Sequence, residues 1–547
     1  MKNGKVFVLG LDGASFRVLD PLVRNGMMPN LGSITEQGAR AVLRSSMPPI
    51  TPAAWVSFMT GKNPGKHGVY GWLQQIRGEY ECNPIDIRNF YNDTLWGYLG
   101  SHGKKVGVIN VPITYPPLEV NGFMISGMDT PFEENCSYPE GLYKELLSKI
   151  GDYRVEIKWR HYNDKSKAEF LDDLIYCTKK RLEATLHLME RFEWDFFMSV
   201  FISMDRVQHF LWKQIENIIS GNTDGEIEKK ILNYYRFMDE VIGEIRGRLD
   251  SDTSLIIMSD HGFKPCSKSV EWNRWLIENN YLCIKKNRKK YLDSIIPLLH
   301  SLGVNREKIR SLFKSLKLDK HTTMHKISSF SRDIGIIDWE KTKAVFLQPY
   351  GLRINLKGRE PEGIINSGDE YRGLVSELKG KMMALKDHES GICPVKNIYA
   401  AEEIYKGPYV DLAPDLIIDY GNNPYDAFSV KLESPEIFMH TTDERKGSHE
   451  MEGIFIGHGE AFEKIKADLP IEMVDIFPTI LHIMGLPVPS DADGRVIEDM
   501  IHNSFKEKPV EKTSVCKDGD DTVSHRYRSS DEDMIIKEQL KGLGYID

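Results

Sequence analysis

Cysteine is scarce and unpatterned. Seven occur in 547 residues (Cys82, Cys136, Cys177, Cys266, Cys283, Cys393 and Cys516), and no CxxC pair is among them. That excludes a disulfide framework and a cysteine-based zinc site, and it fits a reduced compartment. Long apolar runs are also missing. The most apolar stretches, 196–204 and 255–258, are strand-length, far short of the roughly 20 residues a bilayer helix needs. No membrane span is expected. The apolar run at 6–11 is too short for a signal-peptide core and stops at Asp12, so the expected location is cytoplasmic. A basic excess is absent too: the formal charge is −9, which gives no electrostatic case for binding a nucleic-acid polymer. No internal repeat is visible.

The remaining composition, 41% hydrophobic and 28% charged, is that of an ordinary folded protein. Short apolar, β-branched runs at 6–11, 105–111, 123–126, 196–202 and 254–258 read as buried strands, with amphipathic helical segments such as 170–192 and 227–249 between them. Strands alternating with helices predict an α/β fold, a mostly parallel central sheet with helices on both faces. Such sheets bind ligands beyond the carboxyl ends of their strands. The stretch 265–395 is rich in Lys and Arg, notably at 285–290 and 314–320, and reads as an insertion or cap. The tail from 501 is polar. It is expected to be loosely ordered apart from a final short helix at 533–540.

Chemistry-bearing residues gather at the predicted strand ends. Asp12 closes the first strand and precedes Gly13; a carboxylate there can ligate a hard cation or form an ordinary Asx-turn. Thr51 precedes Pro52 and a helical run, and Thr60-Gly61-Lys62-Asn63-Pro64-Gly65-Lys66-His67-Gly68 follows. Read alone, Thr51 caps that helix. The same position would also set its hydroxyl beside the positive helix end, which can hold a phosphoryl group. Asp205 and His209, four apart after the 196–202 strand, share one face of a helical turn and can bind a cation together. Ser259-Asp260-His261-Gly262 ends the 254–258 strand, and His449 lies in Gly447-Ser448-His449-Glu450, just before the apolar 454–456. Singly, an i,i+4 pair or a loop histidine is commonplace. Together they make three Asp, three His and one Thr, a donor set about right for two zinc-like ions.

The ordered set LDG, T-P…TG-x-x-P-x-x-HG, D-x-x-x-H, SDHG and G-x-H, with a closing segment from Asp475-Ile476-Phe477-Pro478 to Asp493-Gly494-Arg495, resembles the alkaline phosphatase superfamily, most closely its type I phosphodiesterase/nucleotide pyrophosphatase branch and the related phosphohydrolase/phosphomutase group. The resemblance implies a three-layer α/β/α sandwich over residues 1–500, with insertions at about 130–170 and 265–395 and a polar tail at 501–547. It implies that Asp12, Thr51, Asp260 and His261 hold the cation that activates the nucleophile, and that Asp205, His209 and His449 hold a second. Both cations are expected to be zinc, with manganese the alternative. It makes Thr51 the nucleophile, by its nine-residue spacing to Thr60, and His67 a structural residue. One departure stands out: the nucleotide pyrophosphatases carry an asparagine about twenty residues after the nucleophile, and here the region reads Val69-Tyr70-Gly71-Trp72-Leu73. Trp72 N–H, Lys62 or Asn63 are the candidates to replace it.

The expected activity is hydrolysis of a small phosphate ester, a diester by preference, through a phosphothreonine. A phosphomutase or phosphoryl transferase would use the same residues. A silent, metal-stabilised binding protein would not need Thr51.

Overall fold

Lys5–Leu11, sequence KVFVLGL, is the hub of the central sheet. Its side chains alternate between two hydrophobic clusters: Val6 and Val8 enter one, Phe7, Leu9 and Leu11 the other. A strand buried on both faces needs this continuous apolar run, and parallel sheets are built of such strands. The computed structural model describes residues 4–157, 164–285, 335–428, 430–432, 434–441, 446–506, 510–513 and 528–542. The basic runs at 286–290 and 314–320, the acidic run at 518–521 and Cys516 lie outside the described residues.

The sheet has ten strands. From one edge it runs Ile465–Lys466, Ala39–Arg44, Glu452–His458, Thr253–Met258, Lys5–Leu11, Phe196–Phe201, Val106–Ile109, Gly122–Ile125 and Ser137–Tyr138, and Ile471–Glu472 also pairs with Ala39–Arg44. Lys5–Leu11 pairs in parallel with both its neighbours. Glu452–His458 runs antiparallel to both of its own. One face carries Thr51–Thr60, Leu95–Ser101 and Ile476–Ile483; the other carries Phe16–Arg24, Pro29–Gln37, Asp164–Arg191, Ser203–Ile219 and Glu226–Arg248. The result is the three-layer α/β/α arrangement.

A third hydrophobic cluster runs from Val270 to Phe438, with Tyr80 joining it from the core side. It surrounds a four-stranded sheet ordered Ala344–Gln348, Gly351–Ile354, Leu416–Asp419, Asn397–Ala400. This cap therefore continues past residue 395. The final helix of the tail is present and differs from expectation in length and packing. A longer helix, Ser530–Gly542, docks on the core. Ile536 and Leu540 are buried in the main cluster, Glu532 accepts from the Tyr115 hydroxyl, and Arg528 donates to the Pro84 and Ile85 carbonyls. This helix, too polar for a core of its own, is held by burying two residues in an existing one.

Candidate metal centre

The strand ends deliver the site. Asp12 follows Lys5–Leu11 directly, and Gly13 takes φ +71. A Cβ on Gly13 would lie 2.7 Å from the Phe263 ring and 3.1 Å from the Asp205 backbone, so both space and conformation call for glycine. Gly13 N–H donates to Asp260 Oδ1 at 3.2 Å, tying two strand ends together. Asp205 and His209 fall in the first two turns of Ser203–Ile219. His449 lies on Gly447–Glu450, which pairs antiparallel with Gly262–Pro265, just after His261.

Thr51 is the first residue of the helix Thr51–Thr60; Ile50 is its N-cap, and no side chain caps it. The simple capping role is therefore not what Thr51 does. Its Oγ1 lies instead 3.4 Å from His261 Nε2. Trp55, one turn on, donates from Nε1 to Asp12 Oδ2 at 3.1 Å. A Cβ on Gly10 would sit 2.8 Å from the Trp55 ring, so the bare Gly10 lets that ring lie on the strand.

All seven residues singled out in the sequence meet in one buried cluster. His261 Nε2 is 3.2 Å from Asp260 Oδ2 and 3.7 Å from Asp12 Oδ1. The His261 and His449 rings stack at 3.7 Å. His449 Nε2 is 2.9 Å from His209 Nε2 and 3.2 Å from Asp205 Oδ1, and His209 Nε2 is 3.3 Å from that same oxygen. Donor atoms close within 4.8 Å in two groups: Asp205, His209 and His449; and Asp12, Asp205 and His261. Asp205 is common to both, and Asp260 joins the second through His261.

The protons on these imidazoles can be assigned. Nδ1 of His209 lies 3.2 Å from the Gly447 carbonyl, that of His449 3.0 Å from the Pro49 carbonyl, and that of His261 3.2 Å from the Gly262 carbonyl. A carbonyl only accepts, so each Nδ1 carries the proton and each Nε2 turns a lone pair inward. His209 Nε2, His449 Nε2 and Asp205 Oδ1 are then three acceptors in mutual contact with no hydrogen to share. Asp12 Oδ1 and Asp260 Oδ2 are buried without a hydrogen bond. Backbone-oriented imidazoles converging with bare carboxylate oxygens are what divalent cations such as zinc require. The donor set fits.

The electrostatics agree. Burial, and then the charge of Asp205, push Asp12 well above the usual carboxylate range. Burial, and then Asp12, do the same to Asp260. Burial, and then His449, hold His261 well below the usual imidazole value. Burial would raise Asp205, but the charge of the adjoining Arg206 guanidinium opposes it and Asp205 stays low.

Some supporting residues escaped the sequence reading: Trp55, the Pro49 and Gly447 carbonyls, and Phe263, whose ring packs on His209, His261 and His449. Only Trp55, four residues after Thr51, left a periodic trace. Lys62 and Asn63, candidates to replace the missing asparagine, are ruled out. They follow the far end of a ten-residue helix, about 15 Å from Thr51. Lys62 is paired with Asp93 and Asp491, and Asn63 with Asp493. His67 is structural: its Nδ1 accepts from Val69 N–H at 3.2 Å, its Nε2 faces Ser57 Oγ at 3.0 Å, and burial drives it down to about 3.

Residues 6–449 match the family described as Type I phosphodiesterase / nucleotide pyrophosphatase. Among solved structures, phosphonoacetate hydrolase from Sinorhizobium meliloti, in complex with phosphonoacetate, is similar at TM-score 0.50 and 16% identity, over 88% of this chain and 95% of that one. Murine ectonucleotide pyrophosphatase/phosphodiesterase 5 is similar at TM-score 0.47 and 13% identity, over 91% and 100%. No curated protein matches the sequence. The family match spans most of the chain, and with an alkaline-phosphatase-like sheet carrying a metal-type donor cluster at its strand ends, the chain belongs to the type I phosphodiesterase/nucleotide pyrophosphatase family of phosphoester hydrolases.

Proposed function

We propose that this enzyme hydrolyses a small phosphodiester through a covalent intermediate on Thr51, with two divalent cations, zinc expected and manganese the alternative. The observation that carries the reading is the set of inward-facing acceptors. Two imidazole lone pairs 2.9 Å apart, beside carboxylate oxygens with no hydrogen bond, leave a cation as the partner that satisfies them. Asp12, Thr51, Asp260 and His261 would hold one cation, and Asp205, His209 and His449 the other. When bound, such ions supply charge: they favour the alkoxide of a ligating hydroxyl at neutral pH and neutralise phosphoryl oxygens.

The chain's own residues do the rest. Thr51 stands at a helix start, where the positive dipole end favours the incoming anion. Its Oγ gives up its proton to solvent and attacks phosphorus in line, the Oγ–P bond forming as the bond to the leaving oxygen breaks, and that oxygen takes a proton from solvent to depart as the alcohol. Water then attacks the phosphorus, and Thr51 leaves with its electron pair and regains a proton. Asp12, fixed by Trp55, and Asp260, fixed by Gly13 N–H, keep the pocket geometry constant through both steps. Preorganised charge supplies most of the rate in phosphoryl transfer. The same reading places the enzyme in the cytoplasm, supported by the six described cysteines, all free.

The test is metal analysis with turnover of bis(p-nitrophenyl) phosphate. Close to two zinc or manganese ions per chain are expected. Turnover should vanish on prolonged chelation and return on re-addition of the ion. Turnover that survives complete removal of metal would contradict the reading.

A further inference from the structure

Arg206 directly follows Asp205 and is 2% exposed. Its Nη1 donates to Asp205 Oδ2 at 2.7 Å, and its Nη2 to Glu156 Oε2 at 2.7 Å. Glu156 is itself fixed, its Oε1 accepting from Ile157 N–H at 2.8 Å. The two oxygens of Asp205 are therefore divided. Oδ2 belongs to the guanidinium, and Oδ1 faces the Nε2 atoms of His209 and His449.

We propose that Arg206 is a positioning residue for the centre: it locks the rotation of the Asp205 carboxylate so that Oδ1 alone is offered to the cation shared with His209 and His449. The inference rests on the two-cation reading above. Two physical points carry it. First, Asp205 is the residue common to both donor groups, so its rotation bears on the whole site. Second, a buried ion pair is an expensive way merely to fill space, since apolar residues of similar volume are often as stable or more so. Arginine's rigid planar fork fixes the direction of the carboxylates it binds, which the freely rotating ammonium of lysine does not. Glu156 balances the guanidinium charge, so the brace does not repel the cation it prepares for.

The experiment titrates zinc into the metal-free full-length protein against a chromophoric chelator, which resolves the binding steps. His209→Ala identifies the step that belongs to the Asp205 group. Two variants test the brace without changing net charge: Arg206→Lys, and Arg206→Met combined with Glu156→Gln. Both should fold, by circular dichroism, and both should weaken that step about 10- to 100-fold, the usual scale for residues that orient a metal ligand. A purely structural role would lower the melting temperature and leave zinc affinity alone. Wild-type zinc affinity in both variants overturns the role of Arg206. If the wild-type protein itself binds no zinc at the step that His209→Ala should remove, the cation reading falls, and this inference with it.

Discussion

Asp12 Oδ1 and Asp260 Oδ2 are buried oxygens without a hydrogen bond, and in the metal-free protein their carboxyl groups keep protons well above the usual range. The sign of the pH effect follows. The unfolded chain releases these protons near pH 4, before the folded one does. Over the window from there up to the raised folded values, the folded state binds more protons, so metal-free stability falls as pH rises. Asp12→Asn or Asp260→Asn removes that loss. Each should stabilise the metal-free protein at neutral pH by about 0.5–2 kcal/mol, with the gain shrinking toward pH 4. Each should also lose the further rise in melting temperature that zinc gives the wild type. Melting curves across pH, with and without zinc, check both halves, and an asparagine variant less stable than metal-free wild type would contradict the account. At this scale the residues of the buried cluster were legible because Asp12, Asp205, Asp260 and His261 each follow a readable strand. The atoms that aim them were not. The carbonyls of Pro49 and Gly447 carry no side-chain signature, and Arg206 beside Asp205 looks like any charged residue in a helix.

Elements were legible where burial is two-sided. Lys5–Leu11 and Thr253–Met258 are apolar after their first one or two residues and buried along nearly their whole length. Ala39–Arg44 was missed because it alternates, with Arg44 exposed and Arg40 half-buried against Phe16 and Asp20. Apolar pattern also says nothing of strand direction, so the antiparallel Glu452–His458 could be found but not oriented. Ser530–Gly542 offers only the narrow stripe of Ile536 and Leu540 amid charges. Its docking ties the tail to the loop around 113–130, through Tyr115 to Glu532 and Gln539 to the Thr130 carbonyl, and Met128 in that loop touches Arg206. Ile536→Ala should cost about 2–5 kcal/mol of stability. A chain ending at Ser529 should show faster hydrogen exchange over 113–130. Exchange there unchanged from the full chain would mean that the helix does not brace the loop.

Over the whole molecule, the site is assembled from residues as far apart in the chain as Pro49 and His449, and the folded sheet brings them together. The cap joins this centre through paired strands: Gly262–Pro265 leads from the core toward it, and Gly447–Glu450 returns carrying His449. The Tyr350 hydroxyl of the cap binds Asp426 at 2.8 Å. Sequence pattern showed the cap as a stretch without motifs, because its contribution is made of packing and backbone pairing. The account depends most on Thr51. It makes no capping bond, so Thr51→Ala should leave the melting temperature nearly unchanged and keep most of the bound metal, where loss of a true cap would cost about 1 kcal/mol. Turnover of bis(p-nitrophenyl) phosphate by the metal-loaded Thr51→Ala protein should fall about 10⁴-fold or more, while Thr51→Ser retains part of it because the hydroxyl survives. Near-normal turnover in Thr51→Ala, with wild-type metal content, would contradict the central claim.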